Sequence, residues 1–138
     1  MECNFCWGFN VEYHRNHGSL LIEDDCCFSV VNWESVKPGH TMVLPKRHVV
    51  NLSELSGEEM KSYFTMVDNL RNRLREKYSE DVVLFMNTGR HRTESHLHVH
   101  LIPSKGNLRD LFHSYEKVPY REKLSDEKIR EIRDFILE

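Results

Sequence analysis

The chain has 138 residues, of which 39% are hydrophobic and 30% charged, so its composition predicts one globular domain rather than a disordered chain. Its net charge of -3 argues against general nucleic-acid binding, which needs a basic surface, and no apolar run reaches the length of a membrane span. The start of the chain does not resemble a signal peptide, so we expect a cytosolic protein whose four cysteines are thiols or metal ligands before disulfides.

The first segment carries Cys3-Asn4-Phe5-Cys6, a C-x-x-C pattern. Alone, this pattern fits a redox pair, half of a zinc site or chance. The polar segment Val11–Gly18 is interpreted as a loop or an irregular strand. The apolar runs Ser19–Glu23 and Cys27–Asn32 follow, and the acidic residues between them predict a hairpin.

The middle of the chain predicts a turn, a third strand and a long helix. Pro38-Gly39 marks the turn, and the apolar segment His40–Pro45 is the strand, followed by the basic residues Lys46-Arg47-His48. Ser56 and Glu59 match a capping box, which starts a helix that runs to Tyr78. Helical spacing predicts that its core face carries Met60, Tyr63, Phe64, Val67, Leu70, Leu74 and Tyr78.

The last third predicts two more strands and a terminal helix. Val82–Asn87 is an unbroken apolar run, which indicates a strand buried on both faces and antiparallel to a following strand, His96–Ile102, that Pro103 ends. Residues 104–124 are interpreted as irregular, and Ser125 caps the last helix. Together the elements predict an α+β fold with an antiparallel sheet of about five strands, one long helix on its face and a C-terminal helix.

Three histidines alternate with apolar residues in the segment His96-Leu97-His98-Val99-His100-Leu101-Ile102. Alternation is the period of a β-strand, so the three imidazoles should project from one face. They are poor packing groups, because both nitrogens of each ring need partners. Two chemistries fit the row: chelation of a transition metal, or nucleophilic catalysis in which a neutral imidazole attacks phosphorus while its neighbours move protons.

This segment matches H-φ-H-φ-H-φ-φ, the signature of the histidine-triad (HIT) superfamily of nucleotide hydrolases and transferases. Pro38-Gly39-His40 with Pro45-Lys46-Arg47-His48 resembles the second hallmark of that family, and the long helix and the Asn87 strand follow in the family's order. The resemblance covers about residues 3–103, the core of an expected single HIT-like domain over 1–138, in which residues 104–138 form a C-terminal extension with a helix.

The resemblance implies that His98 is a nucleophile that attacks the α-phosphorus of a dinucleoside polyphosphate or a related nucleotidyl compound, giving a nucleotidyl-histidine intermediate. It makes His100 the contact to the scissile phosphate and the leaving group, and His40 the residue that completes the catalytic histidine cluster. It also implies that the residues that bind substrate are Asn32, Asn87, Thr93 and His100.

In C-x-x-C members of the family, zinc joins the two cysteines to two histidines. The matching residues are Cys3, Cys6, His48 and His96, which implies one structural zinc per chain. Two reduced thiols without metal are the alternative, and Cys26 and Cys27 are possible rival ligands.

The loop before the triad, Arg92-Thr93-Glu94-Ser95, departs from the family pattern. Thr93 keeps a hydroxyl where the family has one, and Arg92 could grip a polyphosphate. Arg90 and Arg92 can equally be ordinary solvated side chains. Glu94 is expected to point away from the pocket or to pair with an arginine, because it would repel a polyphosphate.

Several functions remain open at this point. The first is a hydrolase, in which water resolves the intermediate; the others are a purine nucleoside phosphoramidase with an amine leaving group, a transferase in which phosphate is the acceptor, and a zinc-bearing nucleotide-binding adaptor. The resemblance also implies a homodimer joined through the long helix and a sheet edge. A small nucleotide is the expected ligand, with no membrane and no sequence-specific nucleic-acid partner.

Overall fold

A computed structural model describes residues 3–88, 94–117 and 123–138. The chain divides into two compact units, one that ends at Lys105 and one that begins at Gly106. The expected single domain over 1–138 stays a prediction. Among the described helices, none combines the length and the hydropathy that crossing a membrane requires.

The first unit is built on a five-stranded sheet in which the strand order is β1-β2-β3-β5-β4. The strands are Leu20–Glu23 (β1), Cys27–Val31 (β2), Thr41–Pro45 (β3), Asp81–Phe85 (β4) and Val99–Ser104 (β5). All neighbouring strands are antiparallel. The predicted α+β class, the β1–β2 hairpin and the pairing of β4 with β5 are confirmed.

Three helices belong to the same unit: Asn4–Trp7 (α1), Val11–His17 (α2) and Gly57–Tyr78 (α3). The predicted capping box starts α3, since the Ser56 hydroxyl accepts from the Glu59 N–H and the Glu59 carboxylate accepts from the Ser56 N–H. The buried face of α3 packs against the sheet.

The core face of α3 is narrower than its sequence pattern predicts. Tyr63, Val67, Leu70 and Leu74 are buried as expected. Phe64 is 50% exposed and Tyr78 is also exposed, whereas Met66, absent from the predicted stripe, is buried. The apolar residues of this helix therefore form two faces, one in the core and one at the surface.

Two predictions about local structure were wrong. Val11–Gly18 is not a loop, because α2 occupies it: Asn10 caps the helix by accepting from the Tyr13 N–H, and Gly18 ends it at a φ of 75°. β4, an edge strand of the sheet, is not buried on both faces, because none of its residues is fully buried and Leu84 is 45% exposed.

The histidine strand also differs from its expected bounds. β5 begins at Val99, so His96 and His98 precede it, and Pro103 lies within it opposite Val82. The Leu97 N–H donates instead to the Val49 carbonyl, at 2.7 Å. The expected alternation of faces persists, since the core beside α3 includes Leu97, Val99 and Leu101.

The second unit contains the helices Leu108–Glu116 (α4) and Asp126–Leu137 (α5). The prediction of irregular structure over 104–124 was wrong for α4, which begins at a capping box between Asn107 and Asp110. The terminal helix is confirmed, and the Ser125 hydroxyl caps it by accepting from the Lys128 N–H.

Candidate functional site

A pocket of about 690 Å³ gathers most of the site residues expected from the sequence. Its lining includes His40, His98, His100, Asn32 and Asn87. Thr93, the remaining expected substrate contact, lies outside the described residues, as do Arg90 and Arg92. The antiparallel pairing of β3 with β5 brings His40 and His100 together. Met42 lies opposite His100, and His40 comes directly before β3.

His98 is buried, and a hydrogen bond sets its tautomer. Its Nδ1 lies 2.8 Å from the carbonyl oxygen of His96. A carbonyl oxygen only accepts, so Nδ1 carries the ring proton and donates it. The other nitrogen, Nε2, therefore keeps its lone pair in the neutral ring, as a nucleophile at phosphorus requires.

A backbone amide sets the tautomers of His40 and His100. The Val36 N–H donates to His40 Nδ1 over 3.1 Å, so the proton of a neutral His40 is on Nε2. That nitrogen donates to His100 Nδ1, 2.8 Å away, which leaves the proton of a neutral His100 on its own Nε2. The site therefore combines an unprotonated Nε2 on His98 with a protonated Nε2 on His100, in rings whose centroids are 4.9 Å apart.

Burial keeps these groups uncharged. It lowers the pKa of His40, and it is the main cause of the fall in the His100 pKa to about 4, to which His98 and His40 add. His40 and His100 are hence neutral at pH 7. The Asn32 carboxamide also belongs to this network, 3.0 Å from His40 Nε2, and with Nε2 protonated it is the carboxamide oxygen, not the nitrogen, that must face the ring.

Four side chains form a second cluster suited to a metal ion. The ligand atoms of Cys3, Cys6, His48 and His96 all lie within 4.8 Å of one another. His96 Nδ1 is 3.5 Å from Cys3 Sγ and 3.4 Å from Cys6 Sγ, and His48 Nδ1 is 3.4 Å from Cys6 Sγ. Zinc bonds of the usual lengths, in a tetrahedron, separate neighbouring ligand atoms by about 3.5 Å. The set therefore fits zinc.

The second nitrogen of His96 supports this interpretation. Nε2 donates to the Pro45 carbonyl over 2.8 Å, so the lone pair on Nδ1 faces the two sulfurs. Burial, followed by the neighbouring Cys3, raises the pKa of the Cys6 thiol to about 11, so two thiolates here need a cation to balance their charge. Within the described residues, Cys26 and Cys27 take no part in this cluster.

The structure answers one of the two expectations for Glu94, while pairing with Arg90 or Arg92 involves residues outside the described ones. Glu94 does not point away from the pocket: it lines it, and its carboxylate accepts a hydrogen bond from the Asn4 side chain. Glu34 lines the pocket as well. The residues that line the pocket therefore include two acidic ones, Glu34 and Glu94.

Sequence reasoning missed the part of the pocket that α2 supplies. His14 is buried in the pocket wall, with Nδ1 2.6 Å from the Ser19 hydroxyl, and Tyr13 lies near Trp33, with ring centroids 6.4 Å apart. The available signal was the pair of helix-ending residues Asn10 and Gly18, which bracket the helix.

A family model described as "HIT domain" matches residues 14–107, which contain all the histidines of the pocket. The chain belongs to the HIT domain family. This HIT protein is 32% identical over 91 residues to the bis(5'-adenosyl)-triphosphatase of Dictyostelium discoideum, an alignment that covers 62% of this chain and 60% of that relative. It is 33% identical over 90 residues to Protein hit of Bacillus subtilis, covering 62% and 61%.

The chain thus spans about 60% of the length of these curated relatives. Among solved structures, a member of the HIT family from Bacillus subtilis superposes with a TM-score of 0.68 at 23% identity, covering 99% of this chain and 96% of that one. At this sequence identity, the superposition shows a similarity of fold alone.

Proposed function

We propose that this HIT protein transfers a nucleotidyl group to His98 and then to water. One observation carries the proposal: the hydrogen bonds leave a bare nitrogen on His98 beside an N–H on His100, with ring centroids 4.9 Å apart. A nucleophile next to a hydrogen-bond donor is what displacement at phosphorus requires, since one forms the new bond and the other stabilises charge on the oxygens.

The reaction would proceed in two displacements. His98 Nε2 attacks the α-phosphorus, the bond from phosphorus to the leaving group breaks, and the His100 N–H donates a hydrogen bond to the departing oxygen. Phosphorylated His98 is cationic while Nδ1 keeps its proton, and the His96 carbonyl, 2.8 Å from Nδ1, stabilises that charge. Water then attacks phosphorus and releases the nucleoside monophosphate together with free His98.

The other end of the pocket would hold the nucleoside. Tyr13 and Trp33 line it, and the exposed Trp33 ring offers a flat surface on which a base can stack. Asn32 lies beside His40 and would reach the ribose hydroxyls. We infer a dinucleoside polyphosphate substrate, a proposal supported by the name of the Dictyostelium discoideum relative, a bis(5'-adenosyl)-triphosphatase.

A second candidate function is favoured by the two carboxylates in the pocket. Glu34 and Glu94 would repel a polyphosphate leaving group and attract a protonated amine. A nucleoside phosphoramidate has an amine leaving group and would pass through the same intermediate. The choice between these substrates therefore depends on charge in the pocket rather than on the nucleophile.

The test is a substrate panel of diadenosine triphosphate, diadenosine tetraphosphate and an adenosine phosphoramidate, each with and without inorganic phosphate. Faster AMP release from the polyphosphates supports the hydrolase, and faster release from the phosphoramidate supports the second candidate. Formation of ADP that depends on phosphate would identify a transferase. Nucleotide binding without turnover of any substrate would contradict the proposal and leave an adaptor function.

We also infer that Cys3, Cys6, His48 and His96 hold one structural zinc, because their spacing matches a closed tetrahedral site. With all four positions filled by protein, the metal would fix the amino-terminal arm beside His98 and would take no part in bond breaking.

A further inference from the structure

Phe5 belongs to α1 and lies between the two cysteines of the C-x-x-C pattern, with its ring beside both His96 and His98. Its ring centroid is 5.2 Å from that of His98, with the ring planes at 73°, and 5.9 Å from that of His96, at 84°. Both are edge-to-face geometries, which aromatic rings favour at these distances. One apolar ring therefore contacts both a candidate metal ligand and the candidate nucleophile.

Among the described residues, His98 has two recorded contacts besides Phe5 that act on its ring. The hydrogen bond from Nδ1 to the His96 carbonyl holds one atom of the ring, and the His100 ring lies edge-on to it, with the ring planes at 82°. A ring held at one atom can still pivot, because the outer torsion of a histidine side chain is broad.

Phe5 is itself firmly placed. Cys3 and Cys6, on either side of it, belong to the cluster of candidate metal ligands. Asn4 donates to Glu94, which ties α1 to the segment that leads into the histidines. The Phe5 ring also packs against the buried cluster of Phe28, Val30, Met42 and Leu44. A side chain whose position is fixed by such contacts can restrict the movement of a neighbouring ring.

We propose that Phe5 is a positioning residue for His98: its ring limits the pivot of the imidazole and keeps Nε2 aimed into the pocket. The catalytic part of this inference rests on the proposed function. Phe5 forms no bond in the reaction, and loss of its ring should slow the attack of His98 without weakening nucleotide binding. Turnover slows in such a variant because His98 is in the reactive orientation in a smaller fraction of the molecules at any time.

The test compares two matched variants. Phe5→Leu removes the ring that contacts His98. Phe28→Leu removes a ring from the apolar cluster on which Phe5 packs, and the recorded ring contact of Phe28 is with His14, 6.3 Å away, rather than with His98. For Phe5→Leu we expect kcat with diadenosine triphosphate to fall by about threefold to tenfold with little change in KM, the range that corresponds to one aromatic pair. Phe28 is the more deeply buried, so Phe28→Leu should lower the melting temperature at least as much while keeping kcat.

A second readout needs no activity. Long-range ¹H–¹⁵N spectra report the tautomer and mobility of His98, and we expect one sharp set of ring signals with protonated Nδ1 in the wild type but broadened or doubled signals in Phe5→Leu. The proposal is overturned if the ring signals or kcat are unchanged in Phe5→Leu, or if Phe28→Leu slows turnover equally. It is also overturned if the decrease in kcat is proportional to a loss of bound metal in the same samples. If the wild type turns over no substrate in the panel, the proposed function fails separately, and the spectra alone then decide the positioning role.

Discussion

Two residues of the pocket, His40 and His100, are neutral at pH 7 because burial makes their charged forms costly and lowers their pKa. For His100 the pKa falls from 6.5 to about 4, so between these pH values the unfolded chain binds a proton that the folded chain does not. The free energy of unfolding should therefore fall as the pH is lowered from about 6.5 towards about 4.

Urea denaturation at about pH 7.5 and about pH 5 measures this loss. His100→Asn keeps a polar side chain of similar reach but removes the titrating ring, so its stability should depend less on pH than that of the wild type. Carboxylates with lowered pKa, such as Glu59 at about 2, lose their stabilising contribution mainly below about pH 4.5, so they add little to the change between about pH 7.5 and about pH 5. An equal pH dependence in the two proteins would remove His100 as a source of the effect.

The sequence predicted which residues meet at the site but not how they are held. The alternation of His96, His98 and His100 survives in the fold, and His40 lies beside His100 as the family resemblance implies. The tautomers depend on the Val36 N–H and the His96 carbonyl, which no side-chain pattern encodes. The contact of Phe5 with His98 joins residues far apart in the chain, so only the fold reveals it.

At the scale of elements, the turn before β3 places His40, and Gly39 is essential to it. Gly39 has a φ of 92°, and a Cβ there would lie 2.6 Å from Pro103 Cγ and 2.8 Å from Tyr78. Gly39→Ala should therefore destabilise the protein by about 1–3 kcal/mol, because the backbone is strained and β5 must shift.

Gly57→Ala is the matched control for Gly39→Ala. A Cβ at Gly57 meets nothing within 4 Å at the start of α3, so we expect unchanged stability or a gain of up to about 1 kcal/mol. Denaturant unfolding of the two variants gives the comparison. Equal effects would show that the turn tolerates a side chain, contrary to this account.

The cysteine–histidine cluster joins three separate segments, so metal content and stability should change together. Protein purified without chelator should contain one zinc per chain, and Cys6→Ser should lose both the zinc and several degrees of melting temperature. Cys26→Ser is the control, since Cys26 lies outside the cluster. A zinc content near zero in the wild type would leave two reduced thiols as the correct interpretation.

The errors made from the sequence at this scale have common causes. α2 was missed because its residues are mostly polar and the signal for a helix lies in its end residues, Asn10 and Gly18. β4 was expected to be buried on both faces because its residues are apolar, but the sequence does not reveal that the strand lies at a sheet edge. Apolar residues indicate that a strand surface tends to be buried, but they do not indicate whether the same chain or another chain buries it.

At the scale of the whole molecule, we predict a homodimer. β4 is an edge strand with Leu84 45% exposed, and the neighbouring α3 exposes Phe64. An edge strand with apolar side chains invites pairing with another chain. Light scattering should therefore give twice the chain mass of 16.5 kDa at micromolar concentration.

The two edges of the sheet supply a matched pair of variants for the dimer. Leu84→Lys places a charge on β4 and should shift the mass to that of a monomer. Leu21→Lys makes the same exchange at an equal exposure of 45% on β1, the opposite edge, and should leave the dimer intact. A monomeric wild type, or dissociation by Leu21→Lys alone, would contradict an interface at β4.

The covalent step on His98 is tested most directly by mass spectrometry of the intact protein, quenched without acid during turnover of diadenosine triphosphate or the adenosine phosphoramidate. We predict a wild-type species heavier by one adenylyl group, with the added mass mapped to the peptide that contains His98. His98→Ala should show no adduct and no turnover while still binding AMP, because the nucleoside end of the pocket is unchanged. Substantial turnover by His98→Ala, or an adduct on another residue, would contradict the account.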